Sequence, residues 1–85
     1  MSLYYFNFTD GHAIDDQIGT ELADLRAAKA EAINLLSAML QRNGKNFWSH
    51  DEWRIEVQDS QHLTMFCIHV SGLDAPAIQK PVKPV

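Results

Sequence analysis

The stretch Asp16-Gln17-Ile18-Gly19-Thr20-Glu21-Leu22-Ala23-Asp24-Leu25, running into Arg26-Ala27-Ala28-Lys29-Ala30-Glu31-Ala32, decides the fold. Gly19 marks a tight turn, because glycine enters the left-handed region without steric cost. Thr20 to Leu22 then reads as a short strand. Asp24 is a good N-cap, since its carboxylate can accept from the free amides of a first helical turn. Beyond it, Leu25, Ala28, Ala32, Leu35, Leu36 and Met39 recur at helical spacing, with Ile33 and Leu40 on the flank. Asn34, Ser37 and Gln41 lie opposite and face water. Arg42 suits the negative end of the helix dipole. Gly44 reads as the residue that ends the helix.

Working outward, Leu3 to Thr9 is rich in aromatic residues, which suit a pleated strand. The period of two puts Tyr4, Phe6 and Phe8 on one face and Tyr5, Asn7 and Thr9 on the other. Asp10-Gly11 signals a type I′ hairpin turn, with 12–15 as the return strand. After the helix, Phe47-Trp48 reads as a loop that covers the end of the core. Trp53, Ile55 and Val57 alternate with Arg54, Glu56 and Gln58, so the first set points inward. Residues 63–70 form the last strand. Phe66, Ile68 and Val70 make one row, and Leu63, Met65, Cys67 and His69 the other.

The order β-β-(short β)-α-β-β predicts an α+β fold: an antiparallel sheet with one long amphipathic helix on one face. The open face would carry Tyr5, Arg54, Glu56, Leu63, Met65, Cys67 and His69. A half-apolar open face implies a partner. Residues 1–74 form one domain. Residues 75–85 contain Pro76, Pro81 and Pro84 and read as an extended tail. Ile78 and Val82 are the tail side chains expected to touch the open sheet or a neighbouring chain. The candidate interface is therefore Tyr5, Leu63, Met65, Cys67, His69, Ile78 and Val82.

A chain of 85 residues has room for one core. Its 46% hydrophobic content is that of a folded globular protein. The net charge of −4, with seven Lys and Arg scattered among eleven acids, disfavours nucleic acid as a partner. No apolar run approaches the ~20 residues that span a bilayer, and no signal peptide is visible, so no membrane association is expected. A single cysteine excludes an internal disulfide and fits a cytoplasmic protein.

Three further features resemble a known family. They are the aromatic strand ending in Asp-Gly (Tyr4 to Gly11), the pattern D-x-x-G-T-E-L-x-D-L-x-x-A-x-x-E-A (Asp16 to Ala32), and a later strand of the type W/R-R-I-E-V-x-D (Trp53 to Asp59). Together they resemble a family of short bacterial proteins known as a domain of unknown function. The resemblance spans roughly residues 3 to 70 and leaves out the tail. It implies a small α+β fold and brings no catalytic residues. Strands followed by a helix that carries Glu31-Ala32 are also similar to HicB-like antitoxin domains, which implies at most a partner protein.

Candidate chemistry is sparse. His12, Asp15 and Asp16 have metal-ligand atoms, but His12 and Asp15 point to opposite faces of a strand. His50-Asp51-Glu52 could do acid–base work, yet reads as a polar connection into the next strand. His62 and His69 read as surface histidines, and Cys67 as a buried inert thiol. The expected function is a non-catalytic, self-associating interaction module, with no cofactor, acting as a homodimer or on a protein partner. The alternatives are an antitoxin-like regulator and a small metal-binding protein or enzyme.

Overall fold

The computed structural model describes residues 1–50 and 52–76, with only the backbone described at Ser49 and His50. Ile78 and Val82 lie outside the described residues. The elements are β1 (Ser2–Thr9), β2 (Ala13–Ile14), β3 (Thr20–Leu22), α1 (Leu25–His50), β4 (Glu52–Gln58) and β5 (Thr64–Ser71). The five strands form an antiparallel sheet of order β2-β1-β4-β5, with β3 also paired to β1. The fold is therefore α+β, one helix on one antiparallel sheet. No helix among the described residues is long and apolar enough to cross a membrane.

The alternation in β1 and β4 builds the core. Tyr4, Phe6 and Phe8 are buried, and Trp53, Ile55 and Val57 are almost wholly enclosed. Rows run across the sheet through Phe6, Val57 and Phe66, and through Phe8, Ile55 and Ile68. Each strand thus contributes one side chain to each layer of the core. The Trp53 indole N–H has no acceptor among the described residues, so shape holds the ring. Phe8 and Phe47 meet it edge-on, with centroids 5.5 Å and 5.6 Å away.

Asp24 caps α1 as its chemistry requires. Its Oδ1 accepts the Ala27 N–H at 2.9 Å, and its carbonyl accepts the Ala28 N–H at 3.1 Å. Ala28 and Ala32 are 0% exposed and Leu36 is also buried. The small alanines let the helix axis come close to the sheet. Leu25 and Leu35, on the same stripe, sit at its exposed margin. The first helical run of α1 ends at a kink at Asn43 (φ −121, ψ 21), one residue before Gly44, and a second run continues to His50. Phe47, buried on Trp53, gains more from continuing than an early stop would offer. Phe47-Trp48 is accordingly helical, not a loop.

Two turns also differ from expectation. The first hairpin has a three-residue connection, Asp10-Gly11-His12, and the return strand is only Ala13–Ile14. Gly11 has a positive φ of 100° but Asp10 does not, which excludes type I′. Asp10 Oδ1 instead accepts the His12 N–H at 3.3 Å. In the second, Asp59 Oδ1 accepts from the amides of Gln61 (2.8 Å) and Leu63 (3.0 Å), with His62 left-handed at φ 64°. That turn absorbs Leu63, so β5 starts at Thr64, with a register irregularity between Val57 and Gln58.

Candidate functional site

The segment that decides the fold is built around one carboxylate. Asp16 Oδ2 accepts the Phe6 N–H at 3.1 Å, and Oδ1 accepts from Ile18 and Gly19, each at 3.0 Å. Asn7 Oδ1 accepts the Asp16 N–H at 2.9 Å. Partial burial raises the Asp16 carboxyl, but the amides of Gly19, Phe6 and Ile18 outweigh it and hold the group below its ordinary range. Asp16 thus stands in for a strand between β2 and β3, which pair with the two ends of β1. Gly19 has φ +83°, and a Cβ there would meet Leu3 Cδ1 at 2.9 Å and Tyr4 O at 3.2 Å. The motif is spent on architecture.

The face of the sheet away from α1 loses Leu63 to the turn before β5 and is otherwise mixed, with polar rows beside Tyr5 and Met65. Asn7, Glu56 and Cys67 form one row across β1, β4 and β5, and Thr9, Arg54 and His69 another. Thr64 Oγ1 donates to Glu56, and His69 Nδ1 lies 3.3 Å from Glu52 Oε2. Tyr5 stacks on His62 with centroids 4.5 Å apart. Cys67 is exposed rather than buried, because no element of the described residues lies over the outer row of β5.

Among the described residues, the outer side of β5 is an unpaired edge of the sheet. Antiparallel ladders alternate between hydrogen-bonded and non-bonded pairs. The Phe6 N–H goes to Asp16, so Phe6↔Val57 is a non-bonded pair and Val57 turns its main chain toward β5. By alternation, Phe66, Ile68 and Val70 bond to β4. Cys67, His69 and Ser71 then present their N–H and C=O groups outward. The inner row of Phe66, Ile68 and Val70 is only half-buried, because α1 packs over β4. Lys29 Nζ reaches to 6.0 Å from the Phe66 ring centre.

Exposed apolar side chains cluster at both ends of this edge. Leu63 (58% exposed) and Met65 stand at one end, and Leu73 (85%) and Trp48 (58%) at the other. Trp48 and Phe47 lie on Gly72, where a Cβ would stand 2.7 Å from Trp48 Cζ3. The structure therefore brings Leu63, Met65, Cys67 and His69 together along β5. Tyr5 lies two strands away on β1. Trp48 and Leu73 belong to the same surface. Trp48 escapes sequence reading because Phe47-Trp48 looks like one buried pair, whereas Phe47 is buried and Trp48, packed edge-on against it, stays exposed.

Elsewhere, Asp15, Asp16, Gln17, Glu56 and Gln58 help line an open polar hollow of about 310 Å³. An apolar hollow of about 180 Å³ lies between Phe6, Phe8, Ile14, Leu35 and Met39. His12 turns Nδ1 to Gly11 O at 3.0 Å, apart from the committed Asp16 carboxylate. The cluster His50-Asp51-Glu52 falls partly outside the described residues, and Glu52 faces His69. Within one chain, the described residues bring no three His, Cys, Asp or Glu side chains together to hold a metal ion.

The molecule is thus a small helix-on-sheet domain in which, among the described residues, β5 is an unpaired edge strand. It belongs to the family described as Domain of unknown function (DUF6894), whose sequence model matches residues 3–71. No curated protein and no solved structure was found similar to the chain.

Proposed function

We propose that this domain is a non-catalytic interaction module that self-associates by pairing β5 with β5 of a second copy. The observation that supports the reading is the self-complementary spacing of the free edge. A two-fold antiparallel pair centred on Ile68 sets Ile68 against the partner's Ile68 and Phe66 against the partner's Val70. The ladder spans β5 itself, so Leu63 and Leu73 flank it at its two ends. The inner apolar rows of both sheets then join, as a shared core requires. The outward N–H and C=O groups of Cys67 and His69 meet as a hydrogen-bonded pair, so main-chain groups are matched as well.

A register centred on Cys67 is poorer, because it sets Val70 against Thr64. Face-to-face packing would take Arg54, Glu52 and Glu56 out of water together, at a desolvation cost that their mutual attraction does not have to repay when the edge pairs instead. Edge pairing leaves them in water. A different protein's strand, as in the antitoxin-like alternative, could use the same edge. The matched spacing at Phe66/Val70 and Ile68/Ile68 favours a second copy. The net charge of −4 agrees with a role away from nucleic acid. Light scattering across micromolar concentrations tests the reading. The expected mass is twice the 9.6 kDa of the chain, and a constant 9.6 kDa would overturn it.

A further inference from the structure

We infer that the paired chains hold one zinc-class metal ion between Cys67 and His69 of one copy and the partner's Cys67 and His69. This rests on the β5–β5 pairing above and goes beyond it by naming a ligand and the residues that bind it.

The placement follows from the register. With Ile68 on the two-fold axis, Cys67 stands opposite the partner's His69, and His69 opposite the partner's Cys67. All four project from the face away from α1, since both residues belong to the outer row of β5. Opposed residues of a hydrogen-bonded pair have Cα atoms ~5.5 Å apart, and residues two apart on a strand are ~6.8 Å apart. Two thiols and two imidazoles therefore ring one space over the axis. Two cysteines and two histidines are a tetrahedral zinc set.

A second observation points the same way. His69 Nδ1 lies 3.3 Å from Glu52 Oε2. A carboxylate only accepts, so Nδ1 carries the proton, and the Nε2 lone pair on the far side of the ring is left for a ligand. A carboxylate behind a histidine is the usual support of a metal-bound imidazole. Arg54 stands across β4 from His69, but Glu52 and Glu56 flank the same residues, so acids outnumber bases around each half-site. One chain supplies two ligands and the pair supplies four. The site is incomplete without the second copy, and metal must tighten the dimer.

The test uses the full chain with zinc chloride, with cobalt chloride as a spectroscopic probe, and with EDTA. The expected result is one ion per two chains after dialysis, tetrahedral cobalt absorption with a thiolate charge-transfer band, and a dimer mass. Cys67→Ser and His69→Gln should abolish the cobalt spectrum. Glu52→Gln should weaken metal binding about 10–100-fold while the fold is kept. A dimer in EDTA whose dissociation constant falls when zinc is added supports the site. A dimer that binds no metal, or binds it equally after Cys67→Ser, refutes the site and leaves edge pairing standing. A monomer under both conditions refutes site and pairing together.

Discussion

The Asp16 carboxylate accepts the main-chain N–H of Phe6, ten residues earlier, at 3.1 Å, and in doing so fills a gap in the sheet. A side chain has taken the place of a strand. Asp16→Ala should therefore destabilise the domain by about 1.5–3 kcal/mol, the scale of a hydrogen bond to a charged group. Urea unfolding reads this directly, and an effect within experimental error would show that the carboxylate is dispensable.

The same residue gives acid sensitivity. Its folded carboxyl titrates below its unfolded value, so the stabilisation is fully present above the ordinary aspartate range. It is lost as pH falls through the lowered folded value, because the unfolded chain takes up the proton first. The stability gap between wild type and Asp16→Asn should narrow on acidification. A gap that widens would contradict the sign.

Two glycines should respond oppositely. Gly19→Ala places a Cβ 2.9 Å from Leu3 Cδ1 at φ +83°, and should cost more than about 1 kcal/mol. Gly44 lies in the helix with nothing within 4 Å of an added Cβ. Gly44→Ala should stabilise by roughly 0.5–1 kcal/mol. Thermal melts of the pair distinguish the two sites.

The helix face is checked the same way. Leu36→Ala should cost about 2–5 kcal/mol, since Leu36 is buried on the sheet. Exposed Asn34→Ala should stay within about 0.5 kcal/mol. Similar losses at both would mean a rotated helix.

Trp48→Ala should raise the dissociation constant of the dimer while leaving the monomer fold, because the ring is 58% exposed beside the free edge. Sedimentation velocity at several concentrations follows it. Unchanged association would remove Trp48 from the interface.

The rows of β1 and β4 are legible in the sequence because Tyr4/Phe6/Phe8 and Trp53/Ile55/Val57 alternate without interruption. The start of α1 is legible because Asp24 can do little but cap. The break at Asn43 is legible to within a residue from Gly44, whereas the second helical run that follows is not, because it depends on the distant burial of Phe47 on Trp53. The type of the first turn is hidden because Asp-Gly serves both two- and three-residue connections. The apolar share of the outer face is overstated by treating Leu63 as part of β5. Only the Asp59 turn, with His62 left-handed, takes it out. The free edge itself needs the sheet order, which no local pattern states.

Pairing across Ile68 is most directly tested by complementary charges on the two-fold axis. Ile68→Lys and Ile68→Glu each set like charges side by side, so each variant alone should be a monomer of 9.6 kDa with a native far-ultraviolet dichroism spectrum. Mixed in equal amounts, they should form a heterodimer of twice that mass. A wild-type chain that is monomeric, variants that stay dimeric alone, or folded variants that fail to associate when mixed would contradict it.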